Sequence, residues 1–316
     1  MKVSLVATVK DASPHAREFL TSLAAQTRTP DEVVIVDGGS TDGTLEVLRA
    51  APGVTVIESP GSNIPTGRNV AIRAATHDAI AVTDADCVLA PDWFERIIEP
   101  LERGADVSMG LYRPLTGSFF EVCAAAVSIK EREEIRPDRY LPSARSVAFR
   151  RDAFETAGGY PEWLSIGEDM LLNHRWRALG LRMQLAEGAV VYRRPRSNLR
   201  AYLTQFFRYA AGDALGGMHA RRHAARFAAY GGLTLATFSR GRMPKVLVAL
   251  GGAAYAARPI RRAFRLLPTG RDRAAASVAV PLLMGATDAA KMAGYLVGRL
   301  RRGMHRGDEM GEDTAP

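Results

Sequence analysis

Ala79-Ile80-Ala81-Val82-Thr83-Asp84-Ala85-Asp86-Cys87 decides how this chain is read. A short apolar run stops at two carboxylates two positions apart. Bounded by His77-Asp78 on its other side, the run predicts a buried strand. In an extended chain residues i and i+2 share a face, so Asp84 and Asp86 are expected to address one site at the strand's carboxyl end. Open α/β sheets bind ligands at that edge. Two oxygen ligands there suit a hard divalent ion, Mn2+ or Mg2+, that shares its shell with phosphates. An isolated Asp-x-Asp reads equally as a solvated turn, and the surrounding motifs decide between the two.

Upstream, Val3–Val9, Glu32–Asp37 and Val54–Ile57 read as strands. Helical patterns over Pro14–Gln26, Asp42–Ala50 and Thr66–Ala75 separate them. This alternation predicts an α/β fold, a mostly parallel sheet with helices on both faces. Past Asp92 the pattern gives a helix to about Leu101, a strand near Asp106–Tyr112 and a helix over Phe119–Glu133. A strand over Ser146–Arg150, a helix over Glu168–Leu179 and a strand over Ala189–Tyr192 follow. Asn198–Leu215 carries apolar residues at helical spacing on one face and reads as the clearest helix of the chain.

Charge divides the chain. Residues 1–218 hold 25 Lys and Arg against 28 Asp and Glu, whereas residues 219–306 hold 17 against 2. The segment from Gly307 to Pro316 carries four acids and no base. The basic third interleaves Arg with apolar runs at Phe227–Ser239, Val246–Ala257 and Ala274–Thr287, and Ala289–Leu300 is amphipathic. No run reaches the ~18 uncharged residues of a spanning helix. Such a pattern favours helices lying on an anionic membrane surface over nucleic-acid binding. A hairpin of short spans and a soluble helical subdomain are the alternatives. The organisation expected is therefore a catalytic domain over 1–218, a helical, apolar and basic membrane-associating region over 219–306, and an acidic disordered tail over 307–316. Cys87 and Cys123 offer no disulfide framework, which fits a reducing cytosol. The apolar run at the N-terminus is too short for a signal peptide. The expected location is the cytoplasmic face of the membrane.

Three further constellations accompany the Asp pair. Val33–Asp37 runs into Gly38-Gly39-Ser40-Thr41-Asp42-Gly43, which sets Asp37 at the same sheet edge, able to accept hydrogen bonds from a base or ribose. It is equally a turn with a helix cap. Gly61-Ser62-Asn63-Ile64-Pro65-Thr66-Gly67-Arg68-Asn69 is a loop entering a helix, where Arg68 and the helix N-terminus suit a diphosphate; Arg68 as a surface residue is the plain alternative. Glu168-Asp169 opens a helix, either as a cap or as a rigidly held general base. Gln205 and Arg208 share a face of the Asn198–Leu215 helix beside its apolar stripe.

In this order, from Val3 to Asp213, these motifs resemble the family 2 inverting glycosyltransferases, which have the GT-A fold. The resemblance implies that Thr8, Asp11, Asp37 and Arg68 line a nucleotide, and that Asp86 with Asp84 holds a metal and the ribose or phosphate. It implies Asp169 of the Glu168-Asp169 pair as catalytic base. Gln205-Phe206-Phe207-Arg208-Tyr209 is similar to the family's Gln-x-x-Arg-Trp motif, which lies near acceptor and diphosphate, with Tyr209 in place of Trp. The chain departs from the commoner pattern at Gly38, where a second Asp is usual, and at Arg193, where His is usual. At Ser146 an Asn near the acceptor is frequent. The implied activity is metal-dependent, inverting transfer from a nucleoside-diphosphate sugar to a hydroxyl of a saccharide or lipid-linked saccharide, in cell-surface glycan synthesis.

Other classes fit less well. A nucleotidyltransferase would carry a Gly-rich phosphate loop after the first strand, and Val3–Lys10 has no Gly. A dinucleotide oxidoreductase would carry G-x-G-x-x-G there. A non-catalytic glycan-binding or membrane-scaffold protein on the same fold is the remaining alternative.

Overall fold

A computed structural model describes the backbone of residues 1–312 and side chains through residue 303. The tail expected over Gly307–Pro316 lies outside the residues whose side chains are described. The chain forms two compact units, one from residues 1–115 with 132–193, the other from residues 116–131 with those from 194 onward.

The first unit is built on eight strands: β1 (Val3–Val9), β2 (Glu32–Asp37), β3 (Val54–Glu58), β4 (Ala79–Asp84), β5 (Val88–Leu89), β6 (Val107–Pro114), β7 (Val147–Arg150) and β8 (Met183–Arg193). Their order is β3-β2-β1-β4-β7-β6-β8-β5. The first four are parallel, and the register sets Thr8 beside Val36 on one side and Asp84 on the other. The carboxyl ends of β1, β2 and β4 therefore form one edge. β7 runs antiparallel to β4 and β6, so the sheet is mixed.

Strand alternation sorts the core onto two faces. Leu5, Ala7, Val33 and Ile35 face α1 (Ser13–Ala24), α2 (Thr44–Arg49) and α4 (Trp93–Glu102), meeting Phe19, Leu48 and Trp93. Val6, Val34, Val36 and Ile80 face α3 (Ile64–Ala74), α6 (Arg151–Thr156) and α7 (Glu168–Ala178), meeting Ile72, Phe154 and Trp176. Both faces are covered, as the near-continuous apolar runs require.

β8 is longer than the Ala189–Tyr192 expected, because Gln184, Glu187 and Gly188 break the apolar pattern while the backbone still pairs with β6. That pairing shifts register at Gly110, where a Cβ would lie 1.9 Å from Ser146 Oγ. Ser146 is buried; it accepts from Trp93 Nε1 (2.9 Å) and donates to the Ala189 carbonyl (3.1 Å). At this position, where the family often has Asn, both hydrogen-bonding roles of the Ser146 hydroxyl are spent inside the core.

The second unit is helical: α5 (Phe119–Ser128), α8 (Leu199–Leu215), α9 (Ala220–Phe238), α10 (Arg242–Leu266) and α11 (Gly270–Glu312). The chain does not divide at residue 218 as expected, since α5 and α8 belong to this helical core. Val122 and Ala126 of α5, Tyr202 of α8, Ala263 of α10 and Val280 and Met284 of α11 pack together. The α8–α11 seam is close enough to require glycine. A Cβ at Gly294 would lie 2.1 Å from the Phe207 carbonyl oxygen, and one at Gly298 2.4 Å from that of Ala211. Ala274–Thr287 and Ala289–Leu300, expected at a membrane surface, thus contribute buried side chains and close backbone contacts to the unit's own packing. A buried polar chain adds to it. Asp213 meets His223 Nε2 at 2.9 Å, and Arg226 meets His223 Nδ1 at 3.1 Å. Asp288 accepts from Arg226, Tyr230 and Tyr255. Among the described residues no helix is long and apolar enough to cross a membrane.

Candidate active site

The edge formed by β1, β2 and β4 carries the polar residues singled out in the sequence. β2 ends at Asp37, whose Oδ2 accepts from the Gly39 (3.0 Å) and Ser40 (2.9 Å) amides and whose Oδ1 accepts from Ser40 Oγ. The side chain is 1 % exposed, so it organises the turn that faces the site. Gly39 takes φ 89°, a conformation that suits glycine. Asp11 stitches this turn to the end of β1, accepting from the Thr41 amide at 2.8 Å while its own amide donates to Ser40 Oγ at 2.9 Å. Its backbone is left-handed, φ 48°, a conformation that short acidic side chains tolerate. Thr8 borders the same edge. A Cβ at Gly67 would lie 3.2 Å from its methyl group, so Gly67 lets α3 approach β1.

α3 begins with Asn63, which caps the Thr66 amide, and Pro65. The turn that follows buries Arg68, 4 % exposed. Its Nη2 donates to Asp84 Oδ1 at 2.6 Å and its Nη1 to Glu168 Oε1 at 2.5 Å. The guanidinium lies 5.5 Å from the Tyr160 ring centroid. Both terminal nitrogens of Arg68, expected at a diphosphate, are engaged here by the carboxylates of Asp84 and Glu168. Asn69 beside it bonds the Tyr160 backbone and Glu162, holding the loop that leads to α7.

β4 ends at Asp84, and Ala85 and Asp86 turn away from strand geometry. Strand alternation therefore does not set both carboxylates on one face; they share the strand's end and differ in state. Asp84 gives one oxygen to Arg68 and the other to Arg145 Nε, 3.3 Å away. Burial pushes its pKa up, but Arg68, Arg145 and Arg193 outweigh burial and hold it below the ordinary carboxylate value. Asp86 is half-buried, touched only weakly by the Cys87 thiol at 3.6 Å. Burial first, then the charges of Asp86 and Asp84, keep that thiol protonated. Among the described residues no group of three or more His, Cys, Asp or Glu side chains is placed to hold a metal. Arg68 and Arg145 take up both oxygens of Asp84, so Asp86 is the carboxylate at this edge that could share a divalent ion with phosphate oxygens.

α7 starts after Gly167, left-handed at φ 91°, which turns Glu168 inward and leaves Asp169 half-buried. Glu168 is 6 % exposed. Burial and then the neighbouring Asp169 charge push its pKa to about 7 against the pull of Arg68. Glu168 thus stands in the Asp84–Arg68–Glu168 chain. Asp169 accepts from the Ala144 amide at 3.3 Å and from the Met170 amide at 2.8 Å, which fixes its carboxylate. Arg193 ends β8; its Nε is buried with no hydrogen-bond partner, and its charge acts on Asp84 and Cys87.

Arg145 and Tyr160 escaped the sequence reading. Neither lies at a motif spacing, and only the fold brings their loops to the end of β4. Gln205, Arg208 and Tyr209 lie on α8 of the helical unit, where Gln205 Nε2 donates to the Tyr209 hydroxyl at 2.6 Å.

Comparison with known proteins bears on this arrangement. Residues 79–286 match the profile described as "Glycosyl transferase family group 2", and residues 4–122 that of "Glycosyl transferase family 2". The succinoglycan biosynthesis protein ExoA of Rhizobium meliloti is 30% identical over 196 residues, 58% of this chain and 59% of that one. The glycosyltransferase AglE of Haloferax volcanii is 25% identical over 199 residues, 60% of this chain and 65% of that one. The chain thus spans less than two thirds of the length of these relatives. The mannosyltransferase PcManGT of Pyrobaculum calidifontis, solved with GDP-Man and Mn2+, superposes with a TM-score of 0.57 at 19% identity, covering 96% of this chain and 87% of that one. This likeness shows the GT-A fold. By the profile covering residues 79–286, this chain belongs to the family 2 glycosyltransferases.

Proposed function

We propose that this protein transfers a sugar from a nucleoside-diphosphate donor to an acceptor hydroxyl with inversion at the anomeric carbon. The observation that carries the reading is the half-buried Asp169, oriented by two backbone amides next to the buried Asp84–Arg68–Glu168 chain. Asp169 accepts the acceptor's proton as its oxygen attacks the anomeric carbon from the face opposite the leaving group. One displacement inverts the configuration. The leaving nucleoside diphosphate gains negative charge, and Arg193, whose charge reaches Asp84 at the same sheet edge, would offset it. Asp86 would hold a divalent ion that neutralises the diphosphate oxygens when bound. Thr8 and the turn held by Asp37 and Asp11 border the nucleotide. By family resemblance, Gln205, Arg208 and Tyr209 contact acceptor or diphosphate.

The similarity to a succinoglycan biosynthesis protein supports a saccharide acceptor in polysaccharide synthesis, and the basic C-terminal third supports presentation at an anionic membrane. The test is thermal shift with UDP, GDP, dTDP and CDP, with and without Mn2+, beside Asp86→Ala. One nucleotide stabilising the unmodified protein with metal, and not the variant, supports the donor site. No response to any nucleotide would end the catalytic reading in favour of a scaffold on this fold. The product anomer, read by NMR, tests inversion.

A further inference from the structure

From Gly231 to Tyr255 only Ala236 is buried, although the stretch is mostly apolar. It comprises the end of α9, the turn Ser239–Gly241 and the first half of α10. Leu235 and Phe238 before the turn are 76% and 86% exposed, and Met243, Leu247 and Leu250 after it are at least 61% exposed. Soluble surfaces seldom carry a contiguous apolar patch of this kind without a partner. The other apolar stretches of the unit do not share this state, since Ala274–Thr287 supplies the core through Ala276, Val280 and Met284.

Charge identifies what covers the patch. Between Asp213 and Asp272 there is no acidic residue, while eleven Lys and Arg lie in that interval. Three of them, Arg240, Arg242 and Lys245, sit at the turn itself among the exposed apolar side chains. A second copy would bring the same unpaired cations together, whereas an anionic lipid surface supplies both the apolar phase and the counter-charge. Insertion of the turn tip-first would bury these cations in hydrocarbon, at a steep cost. The exposed part of either helix is also short: about 12 Å for the end of α9 and about 21 Å for the first half of α10 at 1.5 Å per residue, below the ~30 Å of a bilayer core.

We propose that the α9–α10 turn region lies in the plane of an anionic bilayer, with Leu235, Phe238, Met243, Leu247 and Leu250 in the acyl boundary and Arg240, Arg242 and Lys245 at phosphate level. This rests on the reading of the C-terminal third as membrane-associating, and it names the segment responsible.

The test uses the full chain, sedimented with vesicles of phosphatidylcholine alone or mixed with phosphatidylglycerol. The unmodified protein pellets with the anionic vesicles and is released by salt. Phe238→Ser with Leu247→Ser and Leu250→Ser stays in the supernatant. Arg240→Gln with Arg242→Gln and Lys245→Gln binds roughly a hundredfold more weakly at low salt, each basic side chain near the surface being worth about fivefold. These side chains make no core contacts, and unchanged circular dichroism confirms folding. As a second readout, an environment-sensitive dye on Leu247→Cys shifts to the blue with anionic vesicles; Cys87 and Cys123 are buried and stay unlabelled. Vesicle binding by the unmodified protein with full retention in the serine variant overturns this inference alone. No vesicle binding by the unmodified protein overturns the membrane reading with it. A dimer that the serine substitutions dissociate, without vesicle binding, assigns the patch to a second copy.

Discussion

The sheet unit and the helical unit handle charge in opposite ways. At the end of β4 a buried Arg68 finds two carboxylates, Asp84 and Glu168, within 2.6 Å, and Arg145 adds a second cation at Asp84, so the charges are paired inside the protein. Between Asp213 and Asp272 the sequence holds no acidic residue; Arg226 and Arg265 find carboxylates outside that interval, at Asp288 and Glu131, while apolar side chains lie open beside Arg240, Arg242 and Lys245. The first arrangement is closed, so its residues hold geometry. The second is open, so its residues are available to something outside the chain. Arg68 and Arg240 are the same residue type, yet the surroundings make one a structural counter-ion and the other a candidate lipid contact.

The largest expected effect breaks the closed side. Arg68→Met leaves the buried Glu168 without its cation and Asp84 with Arg145 alone, and should cost roughly 3–5 kcal/mol, read from urea unfolding. A loss comparable to that of an exposed Arg would mean that the chain of charges is not what holds the site. Next, Asp169→Asn keeps the helix start but removes the proton acceptor. Turnover should fall roughly 10²–10⁴-fold while the nucleotide thermal shift persists. Equal loss of both would make Asp169 structural.

Two glycine substitutions sharpen the contrast within the helical unit. Gly298→Ala pushes a methyl into the Ala211 backbone and should destabilise by about 1–3 kcal/mol. Gly252→Ala, on the open stretch of α10 with no neighbour within 4 Å, should stabilise by up to about 1 kcal/mol. Similar melting shifts for both would dissolve the distinction between packed seam and free surface.

A further contrast concerns pH. Glu168 binds its proton more tightly in the folded protein, about 7 against 4.5. Across that window the unfolded chain carries fewer protons, so this group's contribution to stability falls as pH rises. Asp84 shifts the other way, and its contribution is lost only as pH falls into the acid range below its ordinary 3.8. The stability difference between wild type and Glu168→Gln, followed by thermal melting from pH 5 to pH 8, should therefore move against wild type with increasing pH. A flat difference would show that Arg68 fully compensates Glu168.

The sheet was legible because short, continuous apolar runs such as Val33–Val36 and Ala79–Val82 are too brief for a helix, and because each runs into a turn residue or carboxylate. The site was legible where a motif lies on one such run. It was not where two loops converge. Arg145 reaches Asp84 from a loop after a gap of some sixty residues, and nothing in its local sequence marks it.

By itself the sequence determined the alternating elements, the polar sheet edge, the family resemblance and the uneven charge, since these depend on local periodicity and composition. Tertiary structure decided what the same residue types do. Arg68 became a buried counter-ion because α3 turns it towards Asp84 and Glu168, and Glu168 and Asp169 parted roles because Gly167 turns one inward and leaves the other accessible. Of the similar apolar stretches, α11 was drawn into the core and the α9–α10 turn region left open, because Gly294 and Gly298 permit a backbone approach to α8 for which the α9–α10 turn region has no counterpart in the structure. Burial and pairing depend on what arrives from distant parts of the chain, and no local pattern encodes that arrival.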